Sequence, residues 1–384
     1  MYRLMTCLSL GLLLMVQSIA QTAGPAKPAT SNSDYYNDGI RLKDKKEFAQ
    51  AVAAFKKAIA AKPTHKEALY EAGWCSNELG KYDDAIAFLL KAKQQWPNEA
   101  KIYFEIGYAY FKTNNLEEAK TNYYRCIALK KDYGLAYKSL GNVFYSQSEY
   151  AKALENYNSY TIYETDIDSD DFYFKKGYCE NESGKYNEAI VSLNRSVELN
   201  NNNASTFDEL GFAYYKIENP DGAIKNYNKS IELKPNSNVP YLGLGDVYKD
   251  IRKNTDEALK YYLKAVEYKT ESKKTQYCIG WCYNDKSRYN DAIPYLKKAI
   301  SIDKQYINAL TELGYSYYAL TRYMEALDEF NKAILIKKTA LSLYYSGLCY
   351  IGMKNKNDAL KMYDELKTMG SPNADKLKTK IDGM

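Results

Sequence analysis

One glycine recurs along this chain at a nearly fixed interval, and an alanine follows each copy in phase. The glycines are Gly39, Gly73, Gly107, Gly141, Gly177, Gly211, Gly245, Gly280, Gly314 and Gly347, separated by 34, 34, 34, 36, 34, 34, 35, 34 and 33 residues. The alanines are Ala51, Ala85, Ala119, Ala153, Ala189, Ala223, Ala258, Ala292, Ala326 and Ala359. A large apolar residue then completes each copy, at Phe55, Leu89, Tyr123, Tyr157, Leu193, Tyr227, Tyr262, Leu296, Phe330 and Tyr363. A period of this length restricts the chain to stacked supersecondary units.

The unit reads most plainly in residues 204–237, ASTFDELGFAYYKIENPDGAIKNYNKSIELKPNS. Phe207, Leu210, Gly211 and Tyr214 fall at i, i+3, i+4 and i+7, one apolar face of a helix. Asn219 is placed to cap a second helix, with Pro220 at its first position, where a missing N–H costs nothing. Ala223, Ile224, Tyr227 and Ile231 form that helix's apolar face. A short connection makes the two helices antiparallel. Two such helices cannot bury both faces alone, so neighbouring copies must cover them.

The pattern resembles the tetratricopeptide repeat: aromatic-x2-Leu-Gly-x2-Tyr, then Ala-x3-aromatic, then Pro. The resemblance runs from about residue 33 to residue 370, ten repeats. It implies an all-α fold, an α-solenoid of stacked antiparallel helix pairs wound as a right-handed superhelix. In that family Gly211 and Ala223 mark the closest approach of the two helices. Departures are visible. Closing prolines survive at Pro63, Pro97 and Pro235, and Asn200–Asn203 make a polar turn instead. One extra residue within Lys253–Thr255 lengthens the inner turn of the seventh repeat. Pro294 is expected in the first turn of a second helix. Residues 371–384 are amphipathic, with Ala374, Leu377 and Ile381 on one side, and read as a capping helix.

Ahead of the repeats, residues 1–20 read as a secretory signal peptide. Arg3 supplies the positive start, Leu4 to Val16 the apolar core, and Ser18-Ile19-Ala20 a cleavage motif before Gln21. The core is shorter than the roughly 20 residues that span a bilayer. Cys7 precedes the end of that core and does not suit a lipid anchor. Residues 21–32 read as a flexible leader rich in Pro, Ala, Ser and Thr.

Little chemistry is on offer beyond this. A net charge of +5 with 26% charged residues lacks the concentrated basic surface of a nucleic-acid binder. The single histidine, His65, excludes multi-histidine metal sites. Phosphate loops, nucleophile elbows and zinc-type spacings are absent from the sequence, so neither catalysis nor a cofactor is expected. Glu164–Asp171, ETDIDSDD, alternates carboxylates like a calcium loop, but Asp171 and Gly177 stand where that loop needs Gly and Glu. The plainer reading lays these carboxylates at the N-terminus of the next helix. Cys75, Cys179, Cys282 and Cys349 each lie two residues past a repeat glycine, too far apart in a stack to pair. Cys126 and Cys278 have no evident mate, so six free thiols are expected after export.

The expected binding surface is a stripe three residues before, one after and four after each glycine. By resemblance it lines the inner groove formed by the first helices. Its aromatic members are Tyr36, Tyr70, Trp74, Phe104, Tyr108, Phe111, Tyr145, Phe174, Tyr178, Phe212, Tyr215, Tyr277, Trp281, Tyr315, Tyr318 and Tyr344, 16 of 30 positions in a chain that is 14% aromatic. Asn77, Asn142, Asn181 and Asn284 share it. Tyrosine gives contact area at low entropy cost, and asparagine pairs with a backbone amide or a sugar hydroxyl. The expectation is an extended, mostly uncharged protein or peptide partner of a periplasmic or cell-envelope adaptor. No nucleic acid is expected as partner, and no membrane span after signal cleavage. Carbohydrate binding, or a spacer without a specific ligand, are the competing readings.

Overall fold

The computed structural model describes residues 32–268 and 272–384. The expected signal peptide, and the leader up to residue 31, lie outside the described residues. Among the described residues all regular elements are α-helices, paired in order along the chain. The protein is an α-solenoid. None of the described helices is long and apolar enough to cross a membrane.

The chain divides into two units, ending and beginning at Ile167 and Asp168. The first holds the pairs Asn32–Asp44 with Phe48–Ala61, Lys66–Glu78 with Tyr82–Gln95, Ala100–Lys112 with Leu116–Leu129, and Gly134–Ser146 with Tyr150–Tyr163. The second holds Asp170–Glu182 with Tyr186–Leu199, Ala204–Lys216 with Pro220–Leu233, Val239–Asp250 with Thr255–Glu267, Lys273–Asp285 with Tyr289–Ile302, Ile307–Ala319 with Tyr323–Ile336, and Ala340–Gly352 with Lys356–Thr368. It ends with the helix Asn373–Asp382.

Within each pair the repeat glycine meets the large apolar residue of the second helix. A Cβ placed on Gly211 would stand 2.7 Å from the Tyr227 ring, itself buried. The tenth repeat differs from the sequence reading. Gly347 is met by Leu377 of the last helix, with Tyr363 only half-buried. Ala374, Leu377 and Ile381 are all buried there, so the last helix supplies apolar surface that a further repeat supplies elsewhere.

The turn inside every repeat is built alike. One residue takes a left-handed conformation: Gly80 and Gly184 in repeats two and five, and residues such as Lys46, Asn114, Glu218 and Ser287 in others. The next N–H then reaches back to the first helix, as Asn219 N to Tyr214 O at 2.9 Å, satisfying a carbonyl that the helix end leaves open. In repeat seven the extra residue stretches this closure to Asn254 N and Tyr248 O, 2.8 Å. Asn219 caps the following helix by accepting from Gly222 N at 3.0 Å. Pro294 corrects the sequence reading. It is the sixth residue of Tyr289–Ile302, beyond the first turn, and so removes an N–H that the helix would use.

The last two carboxylates of the acidic segment are held in contacts with the helices beside them. Asp170 and Asp171 open the helix Asp170–Glu182, whose cap Ser169 accepts from Phe172 N at 3.3 Å. Asp171 pairs with Lys175 at 2.7 Å, and Asp170 accepts from Asn200 at 2.8 Å. The cysteines Cys75, Cys126, Cys179, Cys278, Cys282 and Cys349 are buried and free. Burial pushes the Cys75, Cys179 and Cys282 thiols up to about 12, which keeps them protonated and inert at neutral pH.

Candidate functional site

Every aromatic residue of the expected stripe is half-buried. This follows from its place on the first helices, flanking the face that packs on the second helix. Rings three before the glycine lean inward. Phe104 lies 5.9 Å from Tyr123 and 5.2 Å from Tyr133, and Tyr277 lies 5.5 Å from Tyr306. Four of the rings one after the glycine meet the aromatic that opens the preceding repeat's second helix, edge to face. Phe48 and Trp74 are 5.6 Å apart, Tyr82 and Tyr108 6.3 Å, Tyr186 and Phe212 6.2 Å, and Tyr289 and Tyr315 5.9 Å. Each contact holds a ring in place and leaves part of it uncovered.

The asparagines behave differently from the sequence reading. Asn77, Asn181 and Asn284 are 3%, 3% and 4% exposed. Each donates from Nδ2 to the next first helix. Asn77 reaches Glu105 O at 3.1 Å and Glu105 Oε2 at 2.8 Å. Asn181 reaches Glu209 O at 3.1 Å and Oε2 at 2.9 Å, and Asn284 reaches Glu312 in the same way at 3.1 and 2.9 Å. Their amide hydrogens therefore join repeats rather than await a ligand. Asn284 Oδ1 also accepts from Ser316 Oγ at 2.7 Å. The corresponding oxygens of Asn77 and Asn181 are buried without a partner among the described residues. Asn142, half-buried, accepts from Tyr157 Oη at 2.9 Å.

Sequence reasoning missed the glutamates. Their signal was a carboxylate 28 residues after each asparagine, legible only once the register between neighbouring first helices is known. Burial raises the Glu105 and Glu209 carboxyls to about 7, opposed by the asparagine hydrogen bond. Burial raises Glu312 as well. In the second unit Trp281, Asp285, Tyr289, Glu312, Tyr315 and Tyr345 help line a cavity of about 270 Å³. Here two aromatic stripe positions, Trp281 and Tyr315, and two carboxylates share one space. Among the described residues no cluster of His, Cys, Asp and Glu could hold a metal ion.

Helix pairs stacked in order along the chain define a helical repeat protein. The chain belongs to the tetratricopeptide-repeat family. Models described as tetratricopeptide repeat match residues 36–100, 100–133, 204–237, 240–271, 274–306 and 341–368, and one described as TPR repeat matches 177–217. A TPR repeat-containing protein of Methanocaldococcus jannaschii is 23% identical over 208 residues, 49% of this chain and 36% of that protein. Protein O-mannosyl-transferase TMTC3 of Homo sapiens is 22% identical over 300 residues, 73% of this chain and 29% of that protein. Heat shock protein STI1 of Saccharomyces cerevisiae is 26% identical over 113 residues, 29% of this chain and 19% of that protein. The chain thus spans only 19% to 36% of the length of these relatives. Among solved structures, YrrB, titled a TPR protein with an unusual peptide-binding site, matches at 22% identity and a TM-score of 0.44, over 47% of this chain and 92% of that one. Proteins of this family are generally protein-interaction scaffolds.

Proposed function

We propose that this chain is an exported, non-catalytic adaptor of the cell envelope that holds a protein or peptide partner along its aromatic stripe. The observation that carries the reading is the uniform half-burial of the stripe's rings. A ring placed only for packing is expected to be covered, and one without a packing role to be free. Rings fixed on one side and open on the other supply rigid contact area at low entropy cost.

The test is a peptide pull-down with the mature chain beside a glycan array. Replacing Trp74, Tyr108 and Tyr178 with Ala should each weaken peptide binding by over about 1 kcal/mol if they are anchors. Capture of glycans with no peptide would move the assignment to carbohydrate binding, and capture of neither would leave a spacer. Export is tested separately: N-terminal sequencing of the native protein should begin near Gln21, and an intact Met1 in a cytoplasmic fraction would refute it.

A further inference from the structure

The asparagine–glutamate pairs belong to a period longer than one repeat. Repeats two, five and eight carry one signature: Gly73-Trp74-Cys75-Ser76-Asn77-Glu78, Gly177-Tyr178-Cys179-Glu180-Asn181-Glu182 and Gly280-Trp281-Cys282-Tyr283-Asn284-Asp285. The copies are 104 and 103 residues apart, three repeats each time. Each is followed by the tyrosine that opens its second helix, at Tyr82, Tyr186 and Tyr289. In the next repeat each meets a glutamate and a ring, Glu105 with Tyr108, Glu209 with Phe212, and Glu312 with Tyr315.

The structure assembles these parts in the same way three times. The asparagine holds the glutamate with hydrogen bonds that agree to within 0.1 Å across the copies. The opening tyrosine meets the next ring edge to face in all three. An exposed acid, Glu78, Glu182 or Asp285, stands beside each asparagine. Glu78 and Glu182 act on Glu105 and Glu209 as like charges, and Asp285 and Glu312 line one cavity.

We propose that each assembly is a subsite for a basic side chain, lysine or arginine, of an extended partner. This rests on the reading of the stripe as the partner-binding surface. A carboxylate held by the asparagine, an exposed acid beside that asparagine and the aromatic rings of the same assembly complement a flat or compact cation. The chain already uses these rings in this way. Lys43 lies 5.0 Å from the Trp74 ring and Lys249 5.6 Å from the Trp281 ring, and both lysines are paired, with Glu71 at 2.7 Å and Asp250 at 2.8 Å. The expectation of a mostly uncharged partner rested on the stripe's tyrosines and asparagines, and three of the four asparagine amides are spent on the glutamates. The three subsites are not equal. Lys112 lies 5.4 Å from the Tyr108 ring and Lys216 5.3 Å from the Phe212 ring, whereas the matching position beside Tyr315 is Ala319. The third subsite therefore has no lysine at this position, although Lys249 stands over its Trp281 ring, and it is the one lined as a cavity of about 270 Å³.

The experiment is selection of a random 12-residue phage-displayed library on the full mature chain. Selected peptides are then remade with each arginine as citrulline or each lysine as norleucine. Peptides bearing basic residues should dominate, and the neutral replacements should bind at least tenfold more weakly. Glu312→Gln, which keeps an acceptor for Asn284, should cost at least fivefold in binding with a thermal melt no lower than that of the wild type, and Glu105→Gln less. Selection of peptides without basic residues, lost on Trp74→Ala or Trp281→Ala, would overturn the cationic subsites and leave the groove reading standing. Recovery of no peptide would overturn both.

Discussion

The third asparagine has a partner that the first two lack, and the difference is one hydroxyl. Ser316 Oγ donates to Asn284 Oδ1 at 2.7 Å, and the residues at the same spacing from Asn77 and Asn181 are Ala109 and Ala213. All three positions are 0% exposed. Ser316→Ala should leave a buried acceptor open, costing about 1–3 kcal/mol. The better helix propensity of alanine returns roughly 0.5 kcal/mol, for a net loss of about 0.5–2.5 kcal/mol. Ala109→Ser should act in the opposite sense. It supplies the missing donor for about 1 kcal/mol, less the same propensity term, for a net gain of roughly 0.5 kcal/mol. The assay is hydrogen exchange read by mass spectrometry, repeat by repeat, because a stack of this length need not melt in one step. Protection should fall in repeats eight and nine for Ser316→Ala and rise in repeats two and three for Ala109→Ser. A neutral Ser316→Ala, or a destabilising Ala109→Ser with unaltered backbone, would refute the claim that these oxygens need a donor.

Three further outcomes are expected. Gly211→Val should drive a side chain into the Tyr227 ring, where even a Cβ stands 2.7 Å away, costing about 1–3 kcal/mol with faster exchange confined to the sixth repeat and its neighbours. An equal rise in the first and last repeats would contradict nearest-neighbour stacking. Glu218→Gly should stabilise by about 0.5 kcal/mol, since Glu218 sits at φ 57° where glycine is unstrained, and Gly184→Ala at φ 73° should lose about 1 kcal/mol, both by urea titration. Finally, Glu105 is raised to about 7 in the fold, whereas an unfolded glutamate titrates near about 4.3. The folded state binds the extra proton between those values, so this contribution is fully present below about pH 4.3 and is lost as pH rises through 7. The stability difference between Glu105→Gln and wild type should therefore grow in favour of Gln from pH 5 to pH 8 in urea denaturation, and a flat difference would place the carboxylate in water.

The repeat, its helix pairs, their caps and the stripe were legible in the sequence because each is a local matter. Helical spacing places Phe207, Leu210 and Gly211 on one face whatever lies beyond, and Asn219 caps a helix through a bond only a few residues long. Gly347 shows where this stops. The sequence set Tyr363 against it by phase, but the helix Asn373–Asp382 reaches that glycine first, through Leu377. The asparagines show it more sharply. Asn77 and Tyr108 both stand on the stripe, and periodicity alone cannot tell them apart. Asn77 is buried because the neighbouring first helix brings Glu105, 28 residues on, within 2.8 Å of its amide. That pairing depends on how far one helix is shifted along the next, which only side-chain packing between repeats decides.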